Sequence, residues 1–160
     1  MPTLTKTKTR KSPAAGPRGR RCEVTQVLYR QTQIAKRVSV LAQAIDRDYA
    51  GKRLVIVGVL KGCFIFLSDL VRRLQTPTEI DFLSVSSYAG EKSTGMVKLN
   101  FDIKADVRGR DVLLLDDIVD TGFSLAWARK HLLAKAPRSL EVCVLLDKPA
   151  RRKVFVPVRY

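Results

Sequence analysis

The sequence predicts an α/β fold with a mostly parallel sheet flanked by helices. Two short apolar runs, residues 54–59 and 112–115, have the length and composition of strands buried on both faces, and residues 140–146 form a third predicted strand. The first two runs are each followed, after a few small or polar residues, by a stretch with helical spacing of its apolar side chains. Strands that alternate with helices in this way build parallel sheets covered by helices.

The helices and a hairpin are expected in a regular order between these strands. The helices are predicted over residues 32–49, 64–74 and 124–134. A hairpin is predicted from residues 81–88 and 96–101, because a polar loop with two glycines separates them. The composition of this loop suits either a solvated turn or a lid that closes over a substrate.

The composition indicates one compact domain preceded by a basic arm. A chain of 160 residues with 46% hydrophobic residues can bury an adequate core. Residues 1–21 carry seven of the lysines and arginines, no acidic residue and many Pro, Thr and Gly, which is typical of a disordered segment. We therefore expect an arm over residues 1–21 and a folded domain over residues 22–160. The arm supplies about half of the formal net charge of +15.

The sequence favours a cytoplasmic protein. No apolar run approaches the 18 or so residues of a membrane-spanning helix, and the basic arm has no apolar segment of the kind found in secretory signals. The three cysteines show neither the spacing of a metal site nor that of a disulfide framework. Of these, Cys63 is either a small residue filling a tight turn or a thiol acidified by a helix start and a lysine.

The segment after the run 112–115 predicts a phosphate site. Ligands of open α/β sheets bind beyond the carboxyl ends of the strands, where the next helix directs its first N–H groups outward. Gly122 lets the backbone approach an anion, and the hydroxyl groups of Thr121 and Ser124 can donate hydrogen bonds to it. The Lys-containing loop of nucleoside triphosphatases, GxxxxGK[ST], is absent from the sequence.

Adjacent carboxylates precede this turn. If Asp116 and Asp117 were both extended, their side chains would point to opposite faces, but at a strand end both can turn toward a ribose diol or a Mg²⁺ held by it. Asp120 is placed over the same pocket. A second strand-to-helix turn, Lys61-Gly62, is either a second anion site or an ordinary turn with a solvated lysine.

These residues resemble a known family. The run from Asp116 to Gly122, Asp-Asp-Ile-Val-Asp-Thr-Gly, resembles the phosphoribosyl pyrophosphate motif of the type I phosphoribosyltransferases. Three other blocks look like the hypoxanthine-guanine branch of that family, and they occur in the family's order. They are Val57 to Gly62 with its following helix, Asp81 to Tyr88 with Ser-Thr-Gly at 93–95, and Leu146-Asp147-Lys148-Pro149. The resemblance covers residues 24–160 and implies the family's fold with a small, incomplete hood.

The resemblance also implies a reaction and a role for each block. A 6-oxopurine, hypoxanthine or guanine, displaces pyrophosphate from phosphoribosyl pyrophosphate to give IMP or GMP, in a purine-salvage reaction that depends on Mg²⁺. The implied assignments are the following: Asp116 and Asp117 for the metal; Asp120, Thr121, Gly122 and Ser124 for the ribose 5′-phosphate; Asp120 as the catalytic acid or base; Lys61 and Gly62 for pyrophosphate; Ser87 and Tyr88 on the mobile loop; Lys148 for the purine. The turn at Lys61-Gly62 is implied to contain a non-proline cis peptide.

The sequence also departs from the family's pattern. Asp116 stands where the family usually has Glu, Ser124 where it has Thr, and Phe123 adds a bulky ring. The chain is expected to lack the family's C-terminal segment, with its purine-stacking aromatic residue, a metal-binding Asp and a pyrophosphate-binding Arg. Two other functions therefore stay open: an RNA-binding regulatory relative of the same fold, whose contact would run through the basic arm, and a catalytically incomplete remnant. A homodimer or homotetramer without a membrane partner is expected.

Five further residues are interpreted as lying outside the site. The basic run Arg151, Arg152 and Lys153 is expected to be solvated. His131 is expected in the last turn of its helix or at the surface, and Trp127 is expected to pack rather than to stack on a purine.

Overall fold

The computed structural model describes residues 26–87 and 97–160. The chain divides into two units, residues 1–30 and 31–160, and the second contains every helix and strand among the described residues. The predicted boundary between residues 21 and 22 lies outside the described residues, as does the loop 88–96. None of the described helices has the length and apolarity needed to cross a membrane.

Five strands form one sheet in the described residues. They are β1 (Leu54–Leu60), β2 (Thr78–Ser87), β3 (Val97–Phe101), β4 (Asp111–Val119) and β5 (Ser139–Asp147), in the spatial order β3-β2-β1-β4-β5. β1 pairs in parallel with β2 and β4, and β4 pairs in parallel with β5. β3 pairs antiparallel with β2, so the predicted hairpin is confirmed. The sheet is mostly parallel, as the sequence predicts.

Helices cover both faces of this sheet. They are α1 (Gln31–Asp48), α2 (Phe64–Val71) and α3 (Phe123–Leu133), with a short 3₁₀ helix at Pro149–Arg151. Successive strand residues face opposite sides. Leu54 and Ile56 therefore pack with α1 and α2, whereas Val55 and Val57 pack with α3. Both faces are buried, which explains why residues 54–57 of β1 and 112–115 of β4 are apolar at every position.

The second helix ends three residues before its predicted end at residue 74. The Asp46 carboxylate on α1 accepts hydrogen bonds from the backbone N–H groups of Gln75, at 3.0 and 3.1 Å, and Thr76, at 2.8 Å. This long-range contact turns the chain toward β2 and satisfies N–H groups that a longer helix would have bonded internally. Apolar spacing alone contained no sign of it.

The strand β4 is longer than the predicted run 112–115, because it continues through the acidic pair to Val119. Its pairing with β1 stops at Leu115, which is opposite Gly58. Its pairing with β5 continues to Val119, which is opposite Asp147. Beyond Leu115 the β1 side of β4 is therefore open, and this gap at the carboxyl end of the sheet is where a ligand can enter.

The outer edge of β5 is partly covered by the end of the chain. The backbone N–H groups of Arg159 and Tyr160 donate to the carbonyl of Val142, at 3.0 and 3.2 Å. The N–H of Val144 donates in turn to the carbonyl of Tyr160 at 3.1 Å. Residues 159–160 are thus bonded alongside β5 in the manner of a further strand.

Candidate active site

A cleft opens at the carboxyl ends of β1 and β4. It brings together most of the candidate residues: Gly62, Asp116, Asp117, Asp120, Thr121, Gly122 and Ser124. Val59, Val85 and Val119 supply apolar parts of its wall. Two strand-to-helix turns and one acidic pair therefore converge on a single site, which is the arrangement expected for a ligand with two anionic ends.

The acidic pair lies within β4 rather than in the turn after it. The backbone N–H of Asp117 donates to Oδ1 of Asp116 at 3.0 Å. Burial of Asp116, reinforced by the neighbouring Asp117 carboxyl group, raises the pKa of Asp116 to about 8. Neither carboxylate forms an ion pair with a basic side chain of the described residues. The pair is therefore suited to binding a proton or a cation, or to accepting hydrogen bonds from a diol.

The predicted phosphate turn, residues 120–124, joins β4 to α3. Gly122 precedes the helix with φ of 90°, a conformation that side-chain-bearing residues rarely adopt, so glycine is required here. A Cβ at this position would also lie 2.5 Å from the carbonyl oxygen of Val154. Thr121 and Ser124 line the cleft on either side of Gly122. The first N–H groups of α3 and two hydroxyl groups are thus available to an anion.

The second turn approaches the acidic pair closely. The peptide between Leu60 and Lys61 is cis, as the resemblance implies. A Cβ on Gly62 would lie 2.5 Å from Oδ1 of Asp117, so a side chain at this position would force the carboxylate to move. Lys61 is exposed and does not line the cleft. Ser87 ends β2 at the same end of the sheet, and Tyr88 lies outside the described residues.

The predicted purine turn runs beside the phosphate turn. The N–H of Lys148 donates to the carbonyl of Val119 at 3.0 Å, and those of Lys153 and Val154 donate to Thr121 at 2.9 and 3.1 Å. The backbone from 148 to 154, which we call the purine-side segment, therefore forms one wall next to the turn 119–121. The Lys148 side chain is exposed and is not among the residues lining the cleft.

The basic run of this segment is not simply solvated, contrary to the sequence interpretation. Nε of Arg151 lies 2.8 Å from Oδ1 of Asp120, and Nη2 of Arg152 lies 2.5 Å from Oδ1 of Asp147. Lys153 is exposed, as expected. The sequence contained no sign of the partners, because a long side chain selects its counter-charge only in the folded chain.

Cys63 is buried and packs beneath β1, where a Cβ on Gly58 would lie 2.8 Å from its sulfur. Burial, with a further contribution from Asp116 and Asp117, raises the pKa of Cys63 to about 12. The interpretation as an acidified, reactive thiol is therefore wrong, and Cys63 fills space in a tight turn.

The helix α3 is anchored near its end by His131. Its Nε2 lies 3.0 Å from Oδ1 of Asp102, while Lys135 contacts the other oxygen at 2.9 Å. Trp127 stacks on the His131 ring with centroids 4.9 Å apart. The structural interpretations of His131 and Trp127 are confirmed.

The fold and the cleft can be compared with known proteins. The profile of the phosphoribosyl transferase domain matches residues 25–155. This chain belongs to the phosphoribosyl transferase family. The predicted enzyme class, a pentosyl-transferring glycosyltransferase, is thereby confirmed.

Individual relatives place the chain within one branch of the family. It is 42% identical over 138 residues to the hypoxanthine phosphoribosyltransferase of Salmonella typhimurium, which covers 84% of this chain and 78% of that protein. It is 44% identical over 131 residues to the hypoxanthine-guanine phosphoribosyltransferase of Aquifex aeolicus, covering 81% of this chain and 74% of that protein. The resemblance to the hypoxanthine-guanine branch is confirmed.

A solved structure agrees with this placement. The crystal structure of a hypoxanthine-guanine phosphoribosyltransferase from Bacillus anthracis, with a HEPES molecule in its active site, superposes with a TM-score of 0.81 at 40% identity. The match covers 86% of this chain and 82% of that one. The predicted fold is therefore that of solved members of the branch.

Proposed function

We propose that this chain transfers the phosphoribosyl group of phosphoribosyl pyrophosphate to hypoxanthine or guanine, giving IMP or GMP and pyrophosphate. The observation that carries the proposal is that three features meet at one cleft. They are the turn that contains Gly62, the turn that contains Gly122, and the acidic pair before the second turn, which forms no ion pair with a basic side chain of the described residues. A sugar with a phosphate at one end and a pyrophosphate at the other could bind to both turns at once. The choice of hypoxanthine or guanine as the acceptor base is based on the names of the relatives.

Each side chain has a part in this reaction. The turn Asp120 to Ser124 holds the 5′-phosphate, and the turn at Lys61-Gly62 holds the leaving pyrophosphate. The transition state carries positive charge on the ribose ring, as in glycoside cleavage, and the adjacent carboxylates Asp116 and Asp117 stabilise it. Asp120 exchanges a proton with the imidazole nitrogen of the purine. Ser87 and Tyr88 belong to the loop that we expect to exclude water.

The acidic pair also suits a divalent cation. Burial of Asp116, with a further contribution from the neighbouring Asp117 carboxyl group, raises the pKa of Asp116 to about 8, and a bound cation would relieve that cost. No cluster of three or more metal-ligating side chains occurs within residues 26–87 and 97–160. Mg²⁺ commonly takes only one or two protein carboxylates together with substrate oxygens, so Asp116 and Asp117 fit it. Bound Mg²⁺ would supply charge neutralisation for the sugar diol and pyrophosphate.

Selection of the base is assigned to Lys148. Its ammonium group donates to the exocyclic oxygen of a 6-oxopurine, whereas adenine offers an amino group at that position and leaves the lysine unpaired. The exposed position of Lys148 next to the turn 119–121 supports this assignment, since the purine must reach it from the open side of the cleft. We further propose action in the cytoplasm as a homodimer or homotetramer.

The test is pyrophosphate release with hypoxanthine, guanine, xanthine and adenine, with and without Mg²⁺. We expect transfer to the 6-oxopurines only, dependent on Mg²⁺, and a loss on the order of 100-fold in Asp120→Ala. The matched control is Asp106→Ala, which removes an exposed carboxylate on the loop before β4 and keeps the wild-type rate.

Two outcomes would replace this proposal. Binding of phosphoribosyl pyrophosphate without transfer to any base means a sugar-binding but catalytically incomplete chain. Salt-dependent binding of RNA that disappears when residues 1–21 are removed, again without transfer, means a regulatory RNA-binding relative.

A further inference from the structure

The contact between Arg151 and Asp120 is unusual for a surface ion pair. Nε of Arg151 lies 2.8 Å from Oδ1 of Asp120, although the N–H is not aligned for a hydrogen bond. Oδ1 is buried, yet 37% of the Asp120 side chain is exposed. The exposed surface therefore belongs to the other atoms of the side chain. Arg151 thus contacts one carboxylate oxygen of a side chain that also lines the cleft.

Backbone hydrogen bonds fix the chain at Arg151 and on both sides of Asp120. The N–H of Arg151 donates to the carbonyl of Lys148 at 3.0 Å, which fixes Arg151 at the end of the 3₁₀ helix. The purine-side segment is bonded to Val119 and Thr121, the two neighbours of Asp120. Most exposed ion pairs contribute little because two flexible side chains must be ordered. Here the backbone bonds keep the two residues next to each other, so the guanidinium group stays within reach of the Asp120 carboxylate.

We propose that Arg151 is a positioning residue that acts through Asp120. Its guanidinium group holds Oδ1, so that Oδ2 is the oxygen directed at the purine. This inference rests on the proposed function, in which N9 of the base forms a bond to the anomeric carbon. The bond to pyrophosphate breaks, its electron pair leaves with pyrophosphate, and the proton on N7 passes to Oδ2 of Asp120. A carboxylate free to rotate would offer Oδ2 in this direction for only part of the time.

The first experiment separates positioning from phosphate binding. In Arg151→Gln we expect kcat to fall about tenfold while KM for phosphoribosyl pyrophosphate changes less than about twofold, because orientation of the base matters in the transition state. Arg151→Lys keeps the charge without the planar guanidinium group and recovers part of the rate. Lys153→Gln removes an exposed charge from the same segment and serves as the control with wild-type kcat. A raised KM with unchanged kcat overturns the proposal, since it would make Arg151 a phosphate ligand.

A double-mutant comparison tests whether Arg151 works through Asp120. If it does, Arg151→Gln has no further effect on kcat in the Asp120→Ala background. If instead the two losses multiply, the arginine acts independently of Asp120, and the proposal is wrong.

A binding measurement keeps the inference testable on a chain that does not turn over. 9-Deazainosine 5′-monophosphate carries a hydrogen on N7, whereas IMP does not. Tighter binding of the deaza compound than of IMP therefore indicates that the protein places a hydrogen-bond acceptor next to N7. We expect the wild-type chain to prefer the deaza compound by about tenfold and Arg151→Gln to lose most of that preference, as Asp120→Ala does. A preference lost in Asp120→Ala but kept in Arg151→Gln overturns the inference and leaves the proposed function standing. If the chain binds neither nucleotide, the proposed function is wrong, and the inference about Arg151 is wrong as well.

Discussion

The carboxylates at the two ends of the parallel strands have opposite surroundings. At the amino end, Asp111 is buried beside Arg138 and accepts a hydrogen bond from the Ser139 hydroxyl at 2.6 Å. Nearby, Asp48 accepts from the Tyr160 hydroxyl at 2.8 Å and from Arg159 at 3.0 Å. At the carboxyl end, Asp116 faces another carboxylate instead of a cation.

The pKa values follow these surroundings. Arg138 holds the pKa of Asp111 below its usual range, and the Tyr160 hydroxyl together with Arg47 and Arg159 lowers the pKa of Asp48 to about 2. Burial and Asp117 raise the pKa of Asp116 to about 8. The amino-end carboxylates therefore stabilise the fold in their charged form. The carboxyl-end pair costs stability when charged, and a binding partner is what makes that cost useful.

The largest expected effect comes from removing one member of the pair. Asp117→Ala should lower the transfer rate on the order of 100-fold to 1,000-fold, because charge stabilisation in the transition state is lost. Its free energy of unfolding should stay the same or rise, since a repulsive neighbour of Asp116 disappears. Steady-state kinetics and urea unfolding measure the two quantities. A chain that loses stability but keeps its rate would make the pair a structural feature like Asp111.

The next largest expected effect is on the pH dependence of the free energy of unfolding, which differs between the carboxylates at the two ends of the strands. The pKa of Asp116 is about 8 in the folded chain and about 3.9 in the unfolded chain, so the folded state holds an extra proton between these values. Its contribution is fully present below about pH 4 and is lost as pH rises toward 8. Asp111 and Asp48 have lowered folded pKa values, and their contributions are lost as pH falls below about 4.

Urea unfolding between pH 5 and pH 8 measures this contrast. The wild-type chain should lose a few kcal/mol of stability relative to Asp116→Asn across that range. Asp111→Asn, the control, should follow the wild type there and diverge only at acid pH. Parallel wild-type and Asp116→Asn curves would show that Asp116 titrates at its ordinary pKa.

The smallest expected effect is at the amino end. Asp111→Ala leaves Ser139 and Arg138 without their acceptor and should cost about 1–3 kcal/mol of unfolding free energy. The transfer rate should stay within about twofold of wild type, because Asp111 lies at the other end of the strand. Glu141→Gln, which removes an exposed ion pair to Arg159 at 3.4 Å, serves as the control and should cost less than 1 kcal/mol. Equal losses of unfolding free energy in the two variants would show that the buried Asp111 pair stabilises the fold no more than the exposed Glu141 pair does.

The sequence predicted the parts of this comparison that depend on local patterns. Runs such as 54–59 are apolar because both faces of the sheet are covered, and that covering can be inferred from the residues alone. Gly122 was predictable as a turn residue, since its backbone conformation excludes most side chains. Local patterns in the sequence are therefore enough to place the acidic pair and the glycine turn next to each other at the end of a buried strand.

The remaining features depend on contacts between distant residues. The end of α2 is set by Asp46, 29 residues before Gln75, and no local pattern encodes that contact. The extension of β4 to Val119 depends on β5, which continues to pair after β1 has ended. The contact of Arg151 with Asp120 follows from the bonding of the purine-side segment, so the sequence alone predicts a solvated arginine there.

The short pairing of residues 159–160 with β5 also affects how the molecule behaves at high concentration. An open strand edge exposes a row of N–H and C=O groups on which another chain can build a sheet. Two backbone groups of that row, at Val142 and Val144, are already occupied by Arg159 and Tyr160. Another chain that extends the sheet at this edge must therefore first displace residues 159–160 from Val142 and Val144.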